Sequence, residues 1–118
     1  MRKKSLCICI IAAVLILLTS CSGTAKDNRT IDTFKTAFED GGIVIENEDV
    51  PYYQMIGAKD GWLFYDEGHV VKIYEFEDEA ALKESMEAYS FNFETNGKFA
   101  LETSGSEAAI EIFNGVEK

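Results

Sequence analysis

From residue 31 onward, the spacing of hydrophobic and polar positions changes several times, which divides the chain into predicted helices and strands. Ile31, Phe34 and Phe38 recur at helical spacing and give one apolar face to a helix. The pair Gly41 and Gly42 predicts the end of this helix, because glycine readily adopts the backbone conformation that terminates helices.

Two short elements are predicted between residues 43 and 56. The run Ile43-Val44-Ile45 is β-branched and is followed by an acidic stretch, which predicts a brief strand. Pro51 suits the first position of a helical turn that continues through residues 52–56, since its fixed φ matches a helix start.

The clearest strand pattern lies in residues 62–76. The segments Trp62–Tyr65 and Val70–Phe76 flank the turn residues Asp66-Glu67-Gly68, which predicts an antiparallel hairpin. Side chains alternate between the two faces of a strand, so we expect Val71 and Ile73 on the same face.

Residues 79–89 carry the strongest helical pattern. Leu82, Met86 and Tyr89 form an apolar stripe, and Asp78 can cap the first turn. The sequence therefore predicts a helix over 79–89, with Leu82 and Met86 on its buried side.

The next segment, residues 91–103, has two interpretations. Phe93 would extend the helical stripe, whereas Asn96-Gly97 suits a tight turn between strands 91–95 and 98–103. The turn favours the hairpin. In it, Phe99 and Leu101 face the core, and we expect them to pack against Leu82 and Met86.

Ser106 can cap a last helix. Four later apolar residues lie at helical spacing: Ala109, Ile112, Phe113 and Val116. Alternation of Ile110 and Ile112 leaves a strand as the second interpretation. Together, the elements predict a single small α+β domain with a mainly antiparallel sheet and helices on one face.

The N-terminal segment follows a different pattern. Basic residues within Met1–Lys4 precede the unbroken apolar run Leu6–Leu18, which is followed by Thr19 and Ser20. This is the layout of a secretory signal peptide. The run is shorter than the roughly 20 residues that a transmembrane helix needs.

The segment Leu18-Thr19-Ser20-Cys21 resembles the lipobox of bacterial lipoprotein precursors, in which an aliphatic residue and two small residues precede Cys. The resemblance implies that residues 1–20 are a cleaved signal peptide and that Cys21 becomes the lipidated first residue. Residues 21–28 are then the lipidated Cys and a tether, and residues 29–118 the domain. Two acyl chains give lasting attachment, because each buried CH2 contributes about 0.8 kcal/mol.

The exported part is similar to small lipoproteins of low-GC Gram-positive bacteria. The likeness lies in the segments Met55–Gly61, Val71–Phe76 and Asn96–Leu101. It implies a lipid-anchored protein at the extracytoplasmic face of the cell membrane, and it carries no known functional site.

Charge and cysteine content limit the possible partners and chemistry. The formal net charge of -10 becomes -13 from Cys21 onward, because three basic residues lie before it. Such a surface repels polyanions, which argues against nucleic acid and against electrostatic binding to anionic lipid. Cys7 and Cys9 fall in the signal peptide and Cys21 is expected to be acylated, so we expect no disulfide, thiolate metal site or cysteine nucleophile, and no cofactor.

His69 is the only histidine of the chain. With Asp66 or Glu67 beside it, a small envelope hydrolase using a His and carboxylate dyad is one hypothesis. A hydrated turn histidine is the simpler interpretation, because catalysis needs a supporting set of residues.

Two acidic stretches, Glu46–Asp49 and Glu75–Glu79, offer oxygen ligands of the kind that Ca²⁺ prefers, although neither fits an EF-hand loop. An acidic cation-binding lipoprotein is therefore a second alternative. Otherwise these stretches are hydrated acidic loops.

Aromatic residues concentrate in the middle of the chain and could line a binding surface. The candidate binding residues are Tyr52, Tyr53, Trp62, Tyr65 and His69. Strand alternation should bury either Trp62 with Phe64 or Leu63 with Tyr65. We therefore expect a non-enzymatic module that is held at the membrane by its lipid and binds an envelope protein, peptide or glycan.

Overall fold

The structure is a computed structural model and describes residues 27–118. The predicted signal peptide, Cys21 and the tether up to residue 26 lie outside the described residues. In the part of the chain that the structure describes, no helix is long and apolar enough to cross a membrane.

The described chain forms three α-helices, five strands and one 3-10 turn. In chain order these are α1 (Ile31–Asp40), β1 (Glu46–Asp49), the 3-10 turn (Tyr53–Ile56), β2 (Asp60–Asp66), β3 (His69–Glu75), α2 (Glu79–Tyr89), β4 (Glu94–Asn96), β5 (Phe99–Thr103) and α3 (Glu107–Gly115). The strands form one sheet in the order β1-β2-β3-β5-β4, and all neighbours are antiparallel. The predicted mixed α+β domain with an antiparallel sheet is confirmed.

One face of the sheet packs against α1 and α3 and carries the larger apolar cluster. The ring of Phe34 is tilted against those of Phe99 and Phe113, with ring centroids 4.5 and 5.2 Å away. Trp62 and Phe64, also 4.5 Å apart, face the same cluster, so Leu63 and Tyr65 take the other side of β2. Aromatic rings thus supply most of the volume that joins α1 and α3 to the sheet.

The opposite face of the sheet packs against α2. Leu82 is buried there with Tyr74, Phe76 and Ala100. The prediction that all helices lie on one face is therefore wrong. Ala100 points away from its neighbours Phe99 and Leu101, and its small side chain leaves room for α2.

For the same reason, the predicted packing of Leu82 and Met86 against Phe99 and Leu101 is wrong. Phe99 and Leu101 belong to the cluster under α1 and α3, whereas Leu82 and Met86 lie in the cluster under α2. The spacing of apolar residues correctly predicts the helical stripe of α2, but it does not predict which face of the sheet this stripe covers.

Both predicted hairpins are present. In the first, Glu67 and Gly68 form the turn with φ of 51° and 87°, and Asp66 pairs with His69. In the second, Asn96 pairs with Phe99, so the turn residues are Gly97 and Lys98 rather than Asn96 and Gly97. Strand β4 is shorter than predicted, because Phe91 and Phe93 precede it and pack against the α2 cluster.

The first strand lies later than the sequence pattern predicts. The prediction placed it at residues 43–45, but the paired segment is β1, whose four side chains are all exposed. Ile43 instead fills the larger cluster. Pairing with β2 overrode intrinsic strand propensity, and the acidic β1 edge discourages further strand addition.

The predicted helix starts are confirmed. Asp78 accepts a hydrogen bond from Ala81 N at 2.8 Å, and Ser106 accepts one from Ala109 N at 3.1 Å. These caps satisfy N–H groups that a helix start otherwise leaves unpaired. Residues 107–115 are helical, so the alternative of a final strand is wrong.

Candidate functional site

The most exposed apolar surface near the sheet lies in residues 50–56, which we call the aromatic loop. This loop joins β1 to β2 and contains the 3-10 turn. Val50, Tyr52 and Met55 are 63%, 82% and 71% exposed. Three exposed large apolar side chains within six consecutive residues are unusual in a folded domain, because their apolar surface stays in contact with water.

Hydrogen bonds and inward-facing side chains hold the aromatic loop in place. Tyr53 N donates to Pro51 O at 2.8 Å, and Ala58 N donates to Tyr53 O at 3.1 Å. Pro51 is buried, and Tyr53 and Ile56 pack against the α2 cluster. The predicted turn is present as a 3-10 turn, but Pro51 precedes its N-cap residue Tyr52 and does not occupy the first helical position.

Two glycines allow the aromatic loop to lie close to the sheet. Gly57 ends the 3-10 turn with φ of 82°, a conformation that favours glycine. A Cβ on Gly61 would lie 3.0 Å from both Pro51 and Tyr53. The loop is therefore fixed against β2 at its base, while its outer side chains remain in solvent.

Beside the aromatic loop, Glu48 links β1 to α1 and β2. Its carboxylate accepts hydrogen bonds from Lys35 Nζ and from Trp62 Nε1, each at 3.0 Å. The bond from Lys35, and after it the bond from Trp62, holds the pKa of Glu48 below its usual value of 4.5. These residues line a polar cavity of about 230 Å³.

The N-terminal end of the described chain is held by Arg29, which is buried. Its guanidinium donates to Asp27 at 2.7 and 2.8 Å, to the Asn96 side chain at 3.0 Å and to Val116 O at 3.1 Å. It also lies over the ring of Phe34 at 5.4 Å. We call Asp27, Arg29, Asn96 and Val116 the arginine clamp.

The arginine clamp changes the pKa of Asp27. The side-chain hydrogen bond from Arg29 lowers the pKa of Asp27 from 3.8 to about 2, against the opposing effect of partial burial. Asp27 thus remains ionised over nearly the whole range in which the protein can be studied, and the pair stays intact.

A charged groove of about 830 Å³ lies next to the arginine clamp, between the starts of α2 and β5. Within it, the buried carboxylate of Glu75 lies 2.9 Å from Lys98 Nζ and 3.7 Å from Lys59 Nζ. Positive and negative side chains along this groove neutralise one another, so it has no dominant charge that would select an ionic ligand.

The predicted binding residues do not form one site. Tyr52 and Tyr53 lie together in the aromatic loop, whereas Trp62 is buried in the larger cluster. Tyr65 lies on the opposite side of β2, and His69 is exposed beside the hairpin turn at the far end of that strand. Of the four candidate tyrosine and tryptophan residues, only Tyr52 is exposed.

Near His69, the structure adds a hydroxyl that sequence analysis did not connect with it. Ser106 Oγ donates to Asp66 Oδ2 at 2.7 Å and, as the cap of α3, accepts from Ala109 N. A Cβ on Gly105 would lie 3.2 Å from the His69 ring. Ser106 is buried, and its hydrogen bonds serve the helix start and the hairpin, which is a structural role.

The acidic stretches take part in pairing and capping. Glu48 bonds Lys35 and Trp62, Glu75 pairs with two lysines, and Asp78 caps α2. Among residues 27–118, no group of three or more His, Cys, Asp or Glu side chains is arranged to hold a metal ion.

The sequence pattern predicts no organising role for Glu48 or Arg29. Apart from Asp27, which lies two residues from Arg29, the partners of both residues lie 13 to 87 positions away in the chain, where no local pattern can identify them. Comparison with protein-family models, with curated proteins and with solved structures found no match to this chain.

Proposed function

We propose that this protein is a lipid-anchored, extracytoplasmic domain without catalytic activity, which binds a component of the cell envelope through the aromatic loop. The observation that carries the binding role is the rigid exposure of Val50, Tyr52 and Met55. The lipobox-like segment ending at Cys21 supports the anchor and the location.

The energetics of the aromatic loop favour contact with a partner. Burying apolar surface contributes about 25 cal/mol per Å² before the costs of association are subtracted, and a loop that is already ordered loses little entropy on binding. Tyr52 adds a hydroxyl at the edge of an apolar ring, which suits a partly hydrated contact. The loop is therefore both apolar at its surface and already ordered, which are the properties of a docking element.

The anchor is tested by mass spectrometry of protein extracted from membranes. We expect the mature chain to begin at Cys21 and to carry a diacylglyceryl group. The Cys21→Ser variant should leave the membrane fraction or accumulate as precursor. A different mature N-terminus, or an unmodified Cys21, would refute the anchor.

The binding surface is tested by thiol labelling on intact cells, whose wall is left in place so that a wall component can still cover the loop. Gln54 and Glu67 are both exposed, the first in the aromatic loop and the second in the hairpin turn. With cysteine at either position, an impermeant reagent should modify residue 67 readily and residue 54 slowly. Equal rates would show that nothing covers the loop, and failure to modify either would contradict export.

The hydrolase alternative has its own test. Ser106 is hydrogen-bonded to Asp66 and to the start of α3. The hydroxyl that lies near His69 therefore has a structural role. We expect His69→Ala to complement a deletion strain as well as the unmodified protein. Loss of complementation with an unchanged melting temperature would favour catalysis.

For the cation-binding alternative, a calcium-dependent rise in melting temperature would be the supporting result.

A further inference from the structure

The chain enters the folded domain at the end of the sheet that carries the aromatic loop. Asp27 is held there by Arg29, whose guanidinium also bonds Asn96. The strand register places four residues on one line across this end of the sheet: Asn96, Phe99, Glu75 and Asp60. Pro51 and Tyr53 lie against Gly61, the next residue of β2. The clamp and the aromatic loop therefore share one end of the molecule.

The connection between that end and the proposed anchor is short. Six residue steps separate Cys21 from Asp27, and an extended chain spans at most about 3.6 Å per residue, or roughly 20 Å in all. The hairpin turn at Glu67 lies at the other end of the seven-residue strand β2, about 20 Å farther away. A lipid at Cys21 would thus hold the loop end near the bilayer and leave the hairpin turn distant.

We propose that the aromatic loop docks on the surface of the phospholipid bilayer that holds the Cys21 lipid. Val50, Tyr52 and Met55 would enter the interfacial layer, where tyrosine is favoured because its ring is apolar and its hydroxyl is polar. The anchor supplies a high local concentration, so a weak contact suffices to orient the domain. This inference rests on the proposed function, since it requires lipid at Cys21.

The charges beside the aromatic loop decide what kind of bilayer contact is possible. Asp49 and Asp60 flank it, and each carboxylate accepts a hydrogen bond from the following backbone N–H, at 2.7 and 2.8 Å. The cation beside them, Lys59, lies 3.7 Å from the buried carboxylate of Glu75. The two aspartates repel anionic headgroups. The contact is therefore an apolar insertion into a neutral interface, and anionic lipid should weaken it.

The test uses mature lipidated protein reconstituted in phosphatidylcholine vesicles. A single cysteine at Gln54 or at Glu67 carries an environment-sensitive fluorophore, since the other cysteines are acylated or removed with the signal peptide. A nitroxide on the lipid headgroup should quench the label at residue 54 several-fold more than the label at residue 67. Aqueous iodide should show the reverse preference.

Loop variants separate insertion from simple proximity. With the label at Gln54, the double change Tyr52→Ser and Met55→Ser should cut lipid quenching severalfold and restore iodide access. Val44→Ser is the matched control: Val44 is 70% exposed, and it precedes Glu46, which pairs with Tyr65 toward the distant end. This variant should leave quenching unchanged. Replacing part of the phosphatidylcholine with phosphatidylglycerol should reduce it.

Each contrary outcome identifies what has failed. Equal quenching at residues 54 and 67 in vesicle-bound protein with confirmed Cys21 lipid overturns the bilayer contact and leaves the anchor intact. Protection of residue 54 in native membranes but not in vesicles means that a protein covers the loop, which also overturns it. An unmodified Cys21 with no vesicle binding overturns both proposals.

Discussion

Arg29 donates a hydrogen bond to the side-chain oxygen of Asn96 at 3.0 Å, which joins the start of the domain to the end of β4 across 67 residues of chain. The Asn96 amide in turn donates to Phe113 O and Val116 O, each at 2.8 Å, and so satisfies carbonyl groups at the end of α3. One buried cation thereby connects three parts of the fold that are remote in sequence.

A soluble protein beginning at Ser22 is expected to unfold cooperatively in chelator and reductant. Two apolar clusters and the arginine clamp hold residues 27–118 together, and no cysteine lies within them. Circular dichroism during heating measures the transition. A transition that chelator abolishes would show that a bound cation is required.

The acid stability of this protein should depend on Asp27. Its pKa is about 2 in the folded state against 3.8 ordinarily, so its stabilising contribution is complete above pH 4 and is lost as the pH falls through 2. Asp27→Asn should lower the free energy of unfolding at pH 7 by about 1 to 2 kcal/mol, since one pKa unit corresponds to about 1.4. It should also flatten the stability curve between pH 4 and pH 2.

Urea unfolding at a series of pH values measures this effect. Glu117→Gln is the control, because Glu117 is exposed near the C-terminal end. The prediction fails when both variants lose stability in acid in parallel with the unmodified protein.

Gly97 should be difficult to replace for two independent reasons. Its φ is 63°, and a Cβ there would lie 2.5 Å from both Arg29 Nη2 and Asp27 Oδ2. Gly97→Ala is expected to cost about 2 kcal/mol or more, because it adds backbone strain to a disrupted ion pair. Gly68→Ala tests strain alone, since it has φ of 87° and open space around it. An equal cost for both would mean that the ion pair adds nothing.

The single tryptophan should report the ionisation of Glu48. Trp62 Nε1 donates to this carboxylate at 3.0 Å, and Lys35 and Trp62 lower the pKa of Glu48. Fluorescence of Trp62 should therefore change with a midpoint below pH 4.5, while the protein is still folded. Glu48→Gln should remove that step, whereas Glu46→Gln, on the same strand, should keep it. A step that persists in Glu48→Gln would assign the change to another group.

The two apolar clusters should behave as separate units. Leu82→Val on one face and Phe113→Leu on the other are each expected to cost about 1 to 2 kcal/mol, with additive effects. Phe34→Leu combined with Phe113→Leu should be non-additive, because these rings are 5.2 Å apart. Urea denaturation of the single and double variants measures both cycles. Strong coupling between Leu82 and Phe113 would contradict the two-cluster arrangement.

A matched surface pair checks the orientation of α2. Leu82→Ala should destabilise by about 2 to 5 kcal/mol, while Glu84→Ala and Glu87→Ala, on the exposed side, should change stability little. Greater damage from the glutamate variants would mean that these carboxylates serve a site on that helix surface.

Local sequence determined the helices and the first hairpin of this protein. Asp78 and Ser106 cap helices whose apolar residues already lie at helical spacing, and Glu67-Gly68 adopts the positive φ angles of a tight turn. These features depend on neighbours within a few residues, so their physical causes are present in the sequence itself. The lipobox-like segment before Cys21 is likewise a local pattern, and it remains a prediction.

Tertiary structure alone decided which surfaces meet. The exposed acidic segment Glu46–Asp49 became a strand because β2 offered it backbone partners, and α2 packs over Ala100 on the face opposite α1 and α3. The arginine clamp arises in the same way. So does the position of the aromatic loop at the end of the sheet where the chain enters the domain. Such contacts join residues far apart in sequence, and their free energy appears only when the chain has closed the intervening loops.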